Sequence, residues 1–175
     1  MTNTLAITTA TPADGPALKV LLETAYRGDS ARQGWNHEAD ILDDERIERE
    51  ELDALLADPA VTILTARTGG DLIGCVAVTR KDAKANAALA YLGMLCVLPT
   101  LQSAGLGRKL LDAAEDHARA LGIAAMEMTV IEGRDALIGW YERRGYAFTE
   151  ERRPFPVLRD PPISFVVLEK PLVQP

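Results

Sequence analysis

Residues 95–111 read LCVLPTLQSAGLGRKLL and contain a strand, a glycine-punctuated turn and the start of a helix. The apolar run from Leu95 is followed by Pro99, which cannot donate to a strand ladder and so marks the end of the strand. The turn QSAGLG leads into apolar residues at helical spacing, with Arg108 and Lys109 in the first helical turn. Free N–H groups at a helix start, the helix dipole and two cations favour a bound polyanion. This stretch therefore predicts a phosphate-binding turn.

The spacing Gln-x-x-Gly-x-Gly after a Val-x-Pro strand end resembles the acetyl-CoA-binding motif of the GNAT superfamily of N-acetyltransferases. A dinucleotide-binding turn is the alternative, but it requires a third glycine and an acidic residue about 20 residues further on. Leu110 occupies the position of that third glycine. The resemblance implies that the cofactor is contacted by the end of the strand and by the turn, at Leu95, Cys96, Val97, Gln102, Ser103, Ala104, Gly105, Leu106, Gly107, Arg108 and Lys109.

A second segment, DALIGWYERRGYAF at 135–148, strengthens the resemblance. It resembles the superfamily's Tyr-Glu-(Lys/Arg)-x-Gly-(Phe/Tyr) motif, whose tyrosine protonates the departing thiolate. The match implies that role for Tyr141, and a phenol with a pKa of about 10 can donate a proton to a thiolate of similar basicity with little energetic penalty. Without the motif, Tyr141 beside Trp140 would be interpreted first as a core aromatic residue.

Length and composition are those of one globular domain. The 175 residues are 47% hydrophobic and carry a net charge of −7, with a pI of about 4.9. No repeat or low-complexity tract divides the sequence, so residues 1–175 are expected to form a single domain. The acidic balance argues against a nucleic-acid partner and suits a cationic small molecule or peptide amine, although it would serve solubility equally well.

The sequence also predicts the compartment. No window reaches the run of about 18 apolar residues that a membrane span needs, and the N-terminal stretch lacks the basic and apolar regions of a signal peptide. A cytoplasmic protein without a membrane partner is therefore expected. Cys75 and Cys96 both fall in strand-like runs, where a reduced core thiol is the expected state.

Hydrophobic periodicity and turn residues predict the order β-α-α-β-β-β-α-β-α-β-β. This order matches what the GNAT resemblance implies, an α/β (α+β) acyl-CoA N-acyltransferase fold with a mixed central sheet of about seven strands flanked by about four helices. The expected strands are 5–8, 61–66, 72–80, 88–97, 124–130, 146–151 and 164–169. The expected helices are 12–28, 44–57, 105–121 and 136–144.

Acetyl transfer also needs a neutral amine, whereas an amine with a pKa of about 10.4 is almost fully protonated at neutral pH. Glu127 lies between Ala125 and Thr129 on the strand face opposite the apolar residues, so we expect it to face the acceptor as general base. A solvated strand carboxylate is the alternative. Relatives commonly have an asparagine seven residues before the catalytic tyrosine, where this chain has Arg134. That cation could reach a phosphate or an acidic acceptor group, and its role stays open.

Substrate choice in this superfamily usually resides in the first two helices and the last hairpin loop. The corresponding segments here are 26–44 and 152–164, and the candidates for substrate binding are Trp35, His37, Glu38 and Asp40 in the first of them. The run His37-Glu38-x-Asp40 lacks an established zinc spacing, so no metal is expected there.

The resemblance implies direct transfer of an acetyl group from acetyl-CoA to a primary amine of a small molecule or peptide, by a protein that can form a homodimer. Two alternatives stay open, a CoA-binding module that has lost catalysis and a toxin-like acetyltransferase acting on aminoacyl-tRNA. The presence of Tyr141 argues against the first alternative, and the acidic composition argues against the second.

Overall fold

The computed structural model describes residues 4–42, 45–84 and 87–173, and these form seven strands and five α-helices. The strands are β1 Leu5–Thr9, β2 Val61–Thr68, β3 Asp71–Lys84, β4 Ala87–Val97, β5 Ala125–Ile131, β6 Ala147–Pro154 and β7 Ser164–Pro171. The helices are α1 Gly15–Tyr26, α2 Gly28–Ala31, α3 Arg49–Ala57, α4 Leu106–Ala120 and α5 Asp135–Glu142. The predicted mixed seven-stranded fold is confirmed.

The main differences from the predicted elements lie before β2. A short 3-10 turn at Pro12–Asp14 precedes α1, and the extra helix α2 follows it where a polar loop was predicted. Helix α3 begins at Arg49, whereas the start predicted for it, residue 44, lies outside the described residues. This segment is polar, so hydrophobic spacing gave no signal for the one-turn helix.

The sheet separates two apolar cores, because alternate residues of a strand face opposite sides. On one side α4 and α5 cover the strands, and on the other side α1 and α3 cover them. Buried residues of the first core include Val76, Leu95, Val97, Leu110, Ala114 and Leu137. Buried residues of the second include Leu18, Leu22, Leu52, Cys75, Ala77 and Cys96.

The sheet runs in the order β1-β2-β3-β4-β5-β7-β6 and is antiparallel except between β4 and β5. These two strands pair in parallel only from Leu89 to Tyr91, opposite Ala125 to Glu127. Beyond this short ladder they have no paired residues in the described part of the sheet. The end of β4 is therefore left with an edge that β5 does not cover.

A β-bulge lies in the same part of β4. Cys75 pairs with Cys96 and Ala77 pairs with Gly93, so β4 has one residue more than β3 between these pairs. Met94, within the bulge, adopts a positive φ of 52°. The bulge shifts the last residues of β4 relative to β3 just where β5 diverges.

The described residues contain no helix that is both long enough and apolar enough to cross a membrane.

Candidate active site

The direction of the β4 backbone groups can be read from one hydrogen bond. The N–H of Leu98 donates to the carbonyl of Ile73 at 2.9 Å, so Leu98 directs its backbone toward β3. Cys96, two residues earlier and paired with Cys75, does the same. Leu95 and Val97 therefore direct their N–H and carbonyl groups to the edge that β5 leaves uncovered.

Both carbonyls on this edge, those of Leu95 and Val97, accept hydrogen bonds from side chains. The hydroxyl of Tyr26 donates to the carbonyl of Leu95 at 2.5 Å, and the side-chain amide of Gln102 donates to the carbonyl of Val97 at 3.3 Å. The N–H groups of Leu95 and Val97 are the donors that this edge offers to a ligand. An extended ligand could pair here as an added strand would.

The turn after β4 exposes backbone donors at the start of α4. Ser103 and Gly105 both have positive φ, 72° and 76°, and Gly105 is the N-cap of the helix. No side chain of the described residues caps this helix start. The first N–H groups of α4 lack helical acceptors, so they are available to an anion, as the sequence predicts.

A cavity of about 370 Å³ joins the β4 edge to this turn. Trp35 and Trp140 form part of its wall, with ring centroids 6.5 Å apart. The lining includes eight of the residues that the resemblance implies for cofactor binding, namely Leu95, Cys96, Val97, Gln102, Ser103, Gly105, Gly107 and Arg108. The strand edge and the turn therefore face one common space.

Arg108, Arg143 and Arg144 gather at the wall of this first cavity. The guanidinium of Arg144 lies over the Trp140 ring, 3.7 Å from its centroid, and donates to the Trp140 carbonyl at 2.7 Å. Burial, together with the positive charges of Arg108 and Arg143, lowers the pKa of Arg144. A bound polyanion would relieve this crowding of positive charge.

A second cavity of about 410 Å³ lies on the other side of the β4 edge. It is bounded by the end of α1, the loop after α2, the diverging ends of β4 and β5, and the segment after β6. Its wall includes Tyr26, Glu38, Arg46, Arg134 and Phe155. This second cavity mixes apolar surface with charges of both signs.

Tyr141 lies where the two cavities meet. It lines both of them, as do Leu95, Leu137 and Asn36. Its ring is 5% exposed and packs edge-on against Trp140, with centroids 4.9 Å apart. Burial raises the pKa of the Tyr141 phenol far above its ordinary value. The hydroxyl therefore keeps its proton in the free protein, and it is a weaker acid toward a thiolate than the ordinary phenol pKa implies.

The Tyr141 hydroxyl forms no hydrogen bond with any residue in the described ranges. The neighbouring Tyr146 differs, because its hydroxyl donates to Glu115 at 3.0 Å. A protonated phenol without a protein acceptor, at the junction of two cavities, can donate to a ligand that bridges them.

Glu127 does not occupy the expected position. Its carboxylate, 8% exposed, receives two hydrogen bonds of 3.1 Å from the Arg153 guanidinium. It lines neither the first nor the second cavity. Met126, Met128 and Val130 pack in the core as expected of the opposite face, but residues from both faces of β5 line the second cavity. Strand periodicity could not reveal Arg153 on β6, which pairs with both Glu127 and Glu151.

The structure separates the four candidates for substrate binding. Trp35 lines the first cavity, and only Glu38 lines the second, where it pairs with Arg27. The Nδ1 atom of His37 accepts a hydrogen bond from the N–H of Ala39 at 3.2 Å. Asp40 is 69% exposed and pairs with Arg32 at 2.9 Å. His37 and Asp40 line neither cavity.

Four of the residues expected at the cofactor do not line the first cavity. Leu106 is buried in the core beneath α4, whereas Ala104 and Lys109 are exposed, and none of the three lines the first cavity. Arg134 lines the second cavity instead, where it donates to Asn36 at 2.9 Å. Since α4 turns by 100° per residue, consecutive side chains cannot all face one ligand.

The sequence is similar to known acetyltransferases. The model of the acetyltransferase (GNAT) family matches residues 21–146. The chain is 32% identical over 117 residues to the IAA acetyltransferase of Azospirillum brasilense, covering 67% of this chain and 72% of that protein.

Solved structures share the fold over nearly the whole chain. The protein yncA of Salmonella typhimurium, solved with its cofactor acetyl-CoA, superposes with a TM-score of 0.72 at 20% identity, covering 98% of this chain and 96% of that one. The paia N-acetyltransferase of Thermoplasma acidophilum, solved in complex with coenzyme A, gives a TM-score of 0.71 at 20% identity, covering 96% and 99%.

Proposed function

The chain belongs to the GNAT family of acetyltransferases, and we propose that it transfers an acetyl group from acetyl-CoA to a primary amine of a small molecule or peptide. The observation that carries this proposal is the meeting of two cavities at Tyr141, one lined by the glycine turn and arginines and the other by mixed polar and apolar groups. Relatives of the same fold that contain acetyl-CoA or coenzyme A support the choice of cosubstrate.

The first cavity has the features that a CoA thioester needs. The N–H groups at the start of α4 and the guanidinium groups of Arg108, Arg143 and Arg144 suit its phosphates. The open edge of β4 suits the amide groups of its pantetheine arm, because an extended chain can pair with free strand donors. Small residues at Gly105 and Gly107 allow a close approach of the backbone to phosphate.

We assign the chemical step to the junction of the cavities. An N–H group of Leu95 or Val97 on the open edge polarises the thioester carbonyl, which favours attack by the amine held in the second cavity. The new C–N bond forms as the C–S bond breaks. Tyr141 gives its proton to the departing sulfur, and its phenolate is then reprotonated from solvent.

The second cavity assists the acceptor amine. Burial in this cavity disfavours the charged ammonium form and lowers the pKa of the amine. Among the described residues, three carboxylates line its wall. Glu38, whose side chain is 15% exposed, is less accessible than Glu45, which is 60% exposed, and than Glu51. Glu38 and Glu127 both pair with an arginine, but of the two only Glu38 lines a cavity. We therefore assign Glu38, rather than Glu127, as the group that accepts the proton of the amine.

A cytoplasmic location and a homodimer are further parts of the proposal. The free thiols of Cys75 and Cys96, 3.7 Å apart, support a reducing compartment. Strand β6 lies at the edge of the sheet and is mostly exposed, which is a surface that a second copy could cover. Light scattering during size-exclusion chromatography measures the number of copies.

The proposed activity is tested by incubating the protein with acetyl-CoA and a panel of primary amines, while free thiol and acetylated product are measured together. We expect release of CoA that depends on the amine and matches the product in amount. Calorimetric binding of acetyl-CoA without transfer to any amine would indicate an inactive module and contradict the proposal. Failure to bind acetyl-CoA would contradict it as well.

A further inference from the structure

Arg46 lines the second cavity and forms no ion pair with any carboxylate of the described residues. It is half-buried, and its Nε atom has no hydrogen-bond partner within the described part of the chain. Its guanidinium lies over the ring of Tyr26, 5.0 Å from the centroid. A buried guanidinium donor that is left unpaired is costly, so its position in a ligand cavity indicates that a ligand completes it.

Two carboxylates on the wall of the second cavity have other ion-pair partners. Glu38 pairs with Arg27, although its charge also acts on Arg46, and Glu45 pairs with Lys19 at 2.7 Å. The third, Glu51, is exposed on α3, and the described residues give Arg46 no ion pair with it. The backbone N–H of Arg46 donates to Glu23 at 2.8 Å. This bond fixes the backbone of Arg46 but involves none of the guanidinium donors.

Arg134 adds a second unneutralised cation to this cavity. Its Nη2 atom donates to the neutral side chain of Asn36 at 2.9 Å, and the described residues provide no carboxylate partner for it. Its charge acts on Tyr141, since it lowers the pKa of that phenol against the larger effect of burial. Two cations therefore face the space that the acceptor occupies.

Tyr26 connects Arg46 to the reaction centre. Its ring lies beneath the guanidinium, and its hydroxyl bonds to the carbonyl of Leu95 at the junction of the cavities. An anion on Arg46 is thus separated from the open edge of β4 by about one tyrosine side chain. A small molecule that carries both an amine and an acidic group can span this interval.

The wall of the second cavity includes an apolar part formed by Phe155, Val157 and Phe165. Phe155 and Phe165 pack together with centroids 5.2 Å apart, and Val157, which is 52% exposed, lies beside them. This wall suits an apolar substituent on the acceptor.

We infer that the acceptor is a free amino acid with an apolar side chain, whose carboxylate binds Arg46 while its amine faces Tyr141. This inference rests on the proposed acetyltransferase function and names the substrate class for it. The guanidinium supplies charge-assisted hydrogen bonds to the carboxylate, and Arg134 adds to the positive potential. The apolar wall holds the side chain.

The test compares phenylalanine with phenylalanine amide and phenethylamine, which keep the ring and the amine but lack the carboxylate. Acetylation by the wild-type protein should favour phenylalanine by roughly ten- to a hundredfold in kcat/KM, the value of a hydrogen bond to a charged group. In Arg46→Gln this preference should fall to near unity, while the KM for acetyl-CoA stays within about twofold. Arg46→Lys should restore part of it, and Arg80→Gln, a change outside both cavities, should leave it intact.

Equal rates for the acid, the amide and the amine would overturn the inference while leaving the acetyltransferase function in place. An equal fall in kcat/KM for phenylalanine, its amide and phenethylamine in Arg46→Gln, with an unchanged melting temperature, would also overturn the inference. Binding of acetyl-CoA without acetylation of phenylalanine, leucine or methionine would exclude this substrate class. Absence of acetyl-CoA binding would instead contradict the proposed function itself.

Discussion

The backbone N–H of Trp35 donates a hydrogen bond to the side-chain oxygen of Gln102 at 2.8 Å, which joins the loop after α2 to the turn before α4. The same oxygen accepts the N–H of Asn36 at 3.1 Å, and the amide nitrogen donates to the carbonyl of Val97. Gln102 therefore uses its whole side chain within the protein. It fixes the loop at Trp35 and Asn36 relative to the end of β4, and we do not expect it to contact phosphate.

Gln102→Ala should weaken the binding of acetyl-CoA and of the amine together. Loss of its three hydrogen bonds releases the loop that carries Trp35 into the first cavity and Asn36 to the junction. We expect the KM values for acetyl-CoA and for the amine each to rise by roughly three- to tenfold, which corresponds to one modest hydrogen bond. Steady-state kinetics measure this, with Gln33→Ala on the exposed surface as control. A rise confined to acetyl-CoA would point to direct contact with the cofactor.

Gly107→Glu should abolish tight binding of acetyl-CoA while the protein stays folded. A Cβ atom at Gly107 would lie 3.7 Å from the Trp140 ring, an ordinary contact, so the fold tolerates a side chain there. The added carboxylate would repel phosphates in the first cavity and should raise the Kd by roughly tenfold or more. Calorimetry checks this with Gly107→Ala as the matched control, which should lose much less affinity. Unchanged affinity in the glutamate variant would place the cofactor elsewhere.

Glu127→Gln should destabilise the protein without changing how its rate depends on pH. The substitution weakens one of the ion pairs of Arg153, at a site where Glu127 is 8% exposed and Arg153 is 29% exposed, and leaves the pair with Glu151 at 2.7 Å. We expect the free energy of unfolding to fall by about 1–2 kcal/mol. Urea unfolding gives this value, and Glu132→Gln, at an exposed pair with Arg152, should cost less. A pH–rate profile displaced toward alkaline pH would restore Glu127 as the base.

Alkaline pH should destabilise the fold partly through Tyr146. Burial first, and then the negative charge of Glu115, raise the pKa of this phenol far above its ordinary value. A raised folded-state pKa gives stability that is fully present below the unfolded pKa of about 10 and is lost as pH rises toward the folded value. The unfolding free energy of Tyr146→Phe, measured by urea between about pH 9 and 10.5, should therefore fall less steeply than that of the wild type. Parallel slopes would mean that Tyr146 ionises alike in both states.

The sequence predicts most of this fold because local signals are strong where the site is built. The glycine turn at 102–107 and the Tyr141 segment are both contiguous, so each can be recognised without knowledge of the rest of the chain. What could not be predicted depends on contacts between distant residues. The pairing of Glu127 with Arg153 and the placement of Gln102 beneath Trp35 are of this kind.

The sequence says little about where Asn36 and Arg46 lie in the site. Asn36 lies in a polar segment without periodicity, and Arg46 falls within the helix expected at 44–57. Only the folded chain shows that both face the second cavity. Arg143 and Arg144 belong to the quoted tyrosine motif, and their positive charges could have been matched to phosphate from the sequence. The wall that they share with Arg108 is formed only when α5 packs beside α4.

Tyr141→Phe tests the central claim most directly, because the hydroxyl it removes forms no hydrogen bond in the described part of the protein and the ring remains. The single-turnover rate of acetyl transfer should fall by roughly ten- to a thousandfold. The Kd for acetyl-CoA and the melting temperature should stay near those of the wild type, and Tyr146→Phe should keep the wild-type rate. A single-turnover rate equal to that of the wild type would contradict the account and leave Tyr141 a purely structural residue.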